Sequence, residues 1–116
     1  DTYGHQFGNT VLTGFADIIK ENIRHVDVAF RYGGEEFVIL FPFVIANKAA
    51  IAVKKIRTQL AQKNFVTDEG KTVNITVSAG VATYLTKEGA NSFIKRADKA
   101  MYQAKENGKN QVVIAK

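Results

Sequence analysis

Two runs of β-forming residues meet at a pair of glycines, and that junction restricts the chain more than any other stretch. Val26, Val28, Ala29 and Phe30 lead into Arg31-Tyr32-Gly33-Gly34-Glu35-Glu36, and Phe37-Val38-Ile39-Leu40-Phe41 leads out. Two such runs joined at Gly-Gly predict a tight hairpin, because both central residues of that turn need a positive φ. Glu35 and Glu36 then stand at the mouth of the turn. Adjacent carboxylates repel and raise the cost of ionisation, so a hairpin gains nothing structural from them. Oxygen donors at a tight turn suit Mg²⁺, and bare glycines let a phosphate approach the main chain. Taken alone, a solvated hairpin with an acidic tip is the plainer reading.

The remaining pattern surrounds this hairpin with helices. Asp1 to Asn9 reads as a loop, so a preceding element is expected. From Thr10, the residues Val11, Leu12, Phe15, Ile18, Ile19 and Ile23 recur at steps of three and four, which predicts an amphipathic helix capped by Asn9. Strands are expected near 27–32 and 36–41, the second stopped by Pro42. Ala49, Ala50, Val53, Ile56, Arg57 and Leu60 mark a second helix. Asp68-Glu69-Gly70 is a turn between short β pieces. Val73, Ile75, Val77, Ala79 and Val81 alternate, predicting a strand over 72–83, with Gly80 a bulge or a close backbone approach. Phe93, Ile94, Ala97, Ala100, Met101 and Ala104 form the stripe of a third helix, ended by Gly108 with Lys105 in its last turn. Val112-Val113-Ile114 closes the chain as a strand. Mixed strands with helices packed on them predict one α+β domain over 1–116.

Composition narrows the chemistry. The chain has 116 residues, 46% of them hydrophobic, enough for one core. It has no Cys, which excludes disulfides and thiolate metal sites, and only His5 and His25 as imidazoles. His5 reads as loop packing and His25 as a solvated spacer. No apolar run approaches the roughly 20 residues of a membrane span, so a cytoplasmic location without membrane contact is expected. A net charge of +5 favours anionic partners, although most lysines are accounted for by a solvated surface. No basic block suggests a nucleic-acid arm, and Tyr84 alone makes no base-stacking platform.

Four segments together resemble one family. Arg31-Tyr32-Gly33-Gly34-Glu35-Glu36-Phe37 matches the signature of GGDEF domains in its GGEEF form. Asp1-Thr2-Tyr3-Gly4-His5, followed by Gly8, resembles the family's Asn-Asp-x-x-Gly-His-x-x-Gly segment. Val77-Ser78-Ala79-Gly80-Val81-Ala82 resembles its Ser-x-Gly-Val-Ala strand. Ala97-Asp98 through Ala100-Met101-Tyr102, Ala104-Lys105 and Gly108-Lys109-Asn110 resembles its closing helix and turn.

The resemblance implies a palm-like fold, as in nucleotide cyclases and polymerases, with a ferredoxin-like core: a central mixed sheet of five strands flanked by helices. It implies a diguanylate cyclase that condenses two GTP into cyclic di-GMP and releases pyrophosphate, with two domains facing each other as a homodimer. Two Mg²⁺ per active site are expected, with Mn²⁺ able to substitute. Glu35 matches the metal-ligating, catalytic carboxylate, and Glu36 takes a supporting role beside it. Gly33 and Gly34 match the glycines lying against the phosphates. Lys105 and Lys109 match the basic pair on the terminal phosphates. The second is usually Arg, so Lys109 keeps the charge without the fork. Asn9 stands where the family usually has an Asp that reads guanine. An amide offers one acceptor and one donor, so weaker base discrimination is expected. Arg24-His25-Val26-Asp27 matches the Arg-x-x-Asp product-inhibition motif, with Lys55 as a secondary contact. A plain ion pair at a helix end is its simpler reading.

The family's first strand, Asp-x-Asp-x-Phe-Lys, carries the other metal carboxylate, and no such motif is present in this sequence. A chain without it is expected to be poorly stable and nearly inactive by itself, within a parent bearing a sensory or receiver module upstream. The alternative is a degenerate domain that binds cyclic di-GMP or GTP as a receptor. Asn9 favours that alternative, and the intact Gly-Gly-Glu-Glu opposes it.

Overall fold

The computed structural model describes the backbone of residues 4–34 and 36–116, and the side chains of residues 6–34 and 36–116. The elements are α1 (Gly4–Asn22), β1 (Val28–Gly33), β2 (Glu36–Leu40), α2 (Ala46–Gln62), β3 (Phe65–Val66), β4 (Thr72–Val73), β5 (Ala79–Val81), α3 (Ala90–Glu106) and β6 (Val112–Ile114).

Helix α1 starts well before Thr10, which corrects both the opening loop and the cap. Phe7 is buried and meets Phe65 edge to face at 6.4 Å. The apolar stripe therefore runs back from Val11 by one more helical step. Burying a Phe is worth about 1.5–3 kcal/mol, enough to offset the roughly 1 kcal/mol that Gly8 costs inside the helix. Asn9 becomes an exposed residue within the helix, not its cap.

Ile18, Ile19, Ile56, Leu60 and Phe65 join Phe7 in one core between α1 and α2. The inward residues of the hairpin, Ala29, Phe37 and Ile39, pack on that core. Phe37 meets Phe15 edge to face at 5.0 Å, fixing the start of β2 on α1. A second cluster, built on Ala46, Ala49, Ala50 and Val81, seats α2 on β5 and β6. Gly80 points the opposite way from Val81, as strand alternation requires. A Cβ there would collide with the backbone of α3 at Ala97 and Met101. The expected close approach is thus the reason for that glycine.

Among the described residues the strands form three two-stranded ladders: β1 with β2 and β3 with β4, both antiparallel, and β5 with β6, parallel. The single strand expected over 72–83 is divided. Val73, Ile75 and Val77 keep their alternation and still face the core, but residues 74–78 have no ladder partner. Likewise β2 and β5 do not pair, and both line a cleft of about 1210 Å³. The mixed α+β architecture is present as three separate ladders.

Candidate active site

The hairpin tip differs from expectation by one residue. Gly33 ends β1 and pairs with Glu36, and a bulge falls between Arg31 and Gly33. Gly33 is therefore the last residue of β1 and not a central residue of the turn. Glu35, assigned above as catalytic residue and metal ligand, lies outside the described residues, as do Asp1 to Tyr3 and the side chain of His5. The Arg31 Nε–H donates to the Gly34 carbonyl at 2.7 Å and holds the turn from its own strand. An added Cβ at Gly33 or Gly34 would meet nothing within 4 Å. Protein packing therefore does not require glycine at either position, and the space over the turn is open to a ligand.

Glu36 lines the cleft next to this turn. Lys105, in the last turn of α3, and Lys109, just beyond it, line the same cleft. The Lys105 ammonium sits 5.7 Å from the Tyr102 ring centre. Gly108, Lys109 and Asn110 all take left-handed backbone, with φ of 115°, 64° and 51°. The Lys109 N–H reaches back to the Ala104 carbonyl at 2.9 Å, closing the helix end.

Asp98 also lines the cleft, a residue to which the sequence reading gave no role. Ile94, Asp98, Met101 and Lys105 recur at helical steps of four, three and four, so α3 presents both charges on one face. Spacing alone could have found it. Among the described residues, no three Asp, Glu or His side chains gather as a metal cluster. Glu36 nevertheless supplies the hard oxygen that Mg²⁺ prefers, and Mg²⁺ often uses only one or two carboxylates besides phosphate oxygens.

The family description "Diguanylate cyclase, GGDEF domain" matches residues 1–111. The chain belongs to the GGDEF family. This GGDEF chain is 44% identical over 117 residues to diguanylate cyclase A of Treponema denticola, covering 100% of the chain and 31% of the relative. It is 39% identical over 115 residues to the response regulator PleD of Caulobacter vibrioides, covering 97% of the chain and 25% of the relative. It thus spans a third or less of these relatives. Among solved structures, the GGDEF domain of DgcB from Caulobacter crescentus, in complex with c-di-GMP, superposes with a TM-score of 0.92 at 34% identity, covering 98% of this chain and 68% of that one. The active GGEEF domain of a diguanylate cyclase from Vibrio cholerae gives 0.87 at 28% identity, covering 100% and 73%.

The other assigned residues of this GGDEF chain lie apart from the cleft walls. Asn9 is exposed on α1 and does not line the cleft. Arg24 and Asp27 bridge the end of α1 and the start of β1. The Arg24 guanidinium donates to the Asp27 carboxylate at 2.6 and 3.1 Å and to the Pro42 carbonyl at 2.9 Å. The Arg24 backbone N–H adds a bond to the same carboxylate at 2.6 Å. These bonds hold the Asp27 carboxyl below the usual carboxylate range, against the opposing effect of burial. Lys55 lies on a shallow groove along α2 with Ile51, Lys54 and Thr58. Gln59 on the same groove accepts from the Asn22 amide, two residues before Arg24. No helix among the described residues is long and apolar enough to cross a membrane.

Proposed function

We propose that this chain is the catalytic domain of a diguanylate cyclase, joining two GTP into cyclic di-GMP with loss of pyrophosphate. The observation that carries the reading is the match to the GGDEF family over residues 1–111, with open space over Gly33 and Gly34 beside Glu36, and with Lys105 and Lys109 at the end of α3. Lys105 and Lys109 hold the terminal phosphates that depart as pyrophosphate. Gly33 and Gly34 admit the triphosphate close to the backbone. Glu35, supported by Glu36, holds Mg²⁺ or Mn²⁺. When bound, the metal neutralises the triphosphate and acidifies the attacking hydroxyl. Asn9 faces the base. Each domain of a homodimer presents one GTP, so each 3′-hydroxyl attacks the α-phosphate held by the other.

Arg24 offers its Nη1 donors to cyclic di-GMP as the product-inhibition site, with Asp27 and the Pro42 carbonyl holding the rest of the guanidinium in place. Lys55, on the neighbouring helix α2, adds a secondary contact to the same ligand. A cytoplasmic setting, with a sensory or receiver module upstream, supplies the nucleotide and the input.

The test is to incubate the full-length natural protein with GTP and Mg²⁺ and to separate the nucleotides by chromatography. Cyclic di-GMP is expected from the wild type and absent from Glu35→Gln. Tight GTP or cyclic di-GMP binding with no product from the wild type would instead establish the receptor reading, which Asn9 favours.

A further inference from the structure

Arg57 stands half-buried at the edge of the α2 stripe that holds Ile56 and Leu60, and the functional reading gives it no task. Its Nη1 donates to the Asn110 side-chain oxygen at 2.9 Å and to the Asn110 carbonyl at 3.4 Å, while Nη2 donates to the Thr58 hydroxyl at 3.3 Å. Asn110 closes a run of three left-handed residues, two of which carry side chains. Such a run persists only where surrounding contacts hold it. Three sets of contacts do so here. The Asn110 N–H donates to the Ser78 hydroxyl at 3.2 Å. The Gln111 amide donates to the Asn107 and Lys109 carbonyls at 3.0 and 3.2 Å. Arg57 grips Asn110 from α2. Lys109 lies in the middle of this run, and its side chain lines the cleft.

We infer that Arg57 is a positioning residue: by gripping Asn110 it sets the backbone of the 108–110 turn and so aims Lys109 at the nucleotide's terminal phosphates. The inference rests on the reading of Lys109 as a phosphate ligand given above. Arg57 touches no substrate. Nη1 alone makes both contacts to Asn110, while Nη2 anchors the planar group on Thr58 of its own helix.

The experiment is a double-mutant cycle on the full-length natural protein, titrating a GTP analogue with a methylene between the α- and β-phosphates in the presence of Mg²⁺. Arg57→Ala is expected to raise the Kd about tenfold, the effect of losing a charge-assisted phosphate contact. In a Lys109→Ala background the same substitution is expected to change nothing further. Asn110→Gly, which keeps the left-handed backbone and removes the gripped side chain, is expected to match Arg57→Ala and not to add to it. Should Arg57→Ala fail to fold, the cycle of Asn110→Gly with Lys109→Ala carries the same test. Equal losses in both backgrounds, or no loss in either, would overturn the inference. A wild type that does not bind the analogue would overturn the functional reading itself.

Discussion

Arg24 and Asp27 meet at 2.6 Å, yet the two side chains see different surroundings: Asp27 is 1% exposed and Arg24 is 51% exposed. Asp27 and the Pro42 carbonyl take up Nε and Nη2, and Nη1 keeps its donors for an anionic ligand. Arg24→Ala is therefore predicted to raise the cyclic di-GMP inhibition constant at least about tenfold while leaving the initial rate unchanged. Asp27→Asn should act in the same direction more weakly. Initial rates measured at increasing cyclic di-GMP check both, and an unchanged inhibition constant for Arg24→Ala would remove the site.

A second pair governs acid stability. The Arg96 guanidinium donates to both oxygens of Glu88, at 2.6 and 2.8 Å, and also to the Thr83 carbonyl. Ser92 and the Leu85 N–H complete the shell around Glu88. The Arg96 bonds hold the Glu88 carboxyl down to about 2, from the ordinary 4.5. A depressed folded-state value means that this stabilisation is full above the ordinary value and is lost as the pH falls toward about 2. Urea midpoints of wild type and Glu88→Gln should differ most near neutrality and converge on acidification. Parallel curves across that range would contradict the assignment.

Gly80 tests the packing of α3 on β5. The intruding Cβ of Gly80→Ala meets helix backbone, which cannot rotate away as a flexible side chain can. A destabilisation of about 3 kcal/mol is predicted, at the upper end of ordinary overpacking costs. Ala at Gly33, where the space is open, should cost far less in the same denaturation series. Equal costs at the two positions would show that the α3–β5 contact is not as close as described.

Asn9→Asp is predicted to sharpen the preference for GTP over ATP about tenfold, since a carboxylate accepts from both the ring N–H and the exocyclic amine of guanine. Competition of the two nucleotides for binding checks it. An unchanged ratio would place the base elsewhere.

Where periodicity is long and backed by burial, the sequence was readable. The stripes of α2 and α3, the stop at Pro42 and the tight contact at Gly80 all follow from side-chain spacing. Boundaries set by competing small terms were not. Phe7 carried α1 back through Gly8, because its burial outweighs the helix cost of that glycine. Gly33 joined β1 and not the turn, because a bulge near Tyr32 is invisible to composition. The alternation at 73–81 predicted which side chains face inward, but pairing depends on a partner strand that alternation does not report. At the site, Lys105 and Lys109 could be assigned through resemblance, whereas Asp98 needed only helical spacing. Arg57 was read only as part of the α2 pattern, because its partner lies 53 residues away in sequence.

The most direct test is a crystal structure of the full-length natural protein with Mg²⁺ and the methylene analogue of GTP. The triphosphate should lie between the Gly33-Gly34 backbone and the ammonium groups of Lys105 and Lys109, with a metal ion bound to Glu35. A nucleotide seated elsewhere, with both lysines and the glutamate in solvent, would contradict the account.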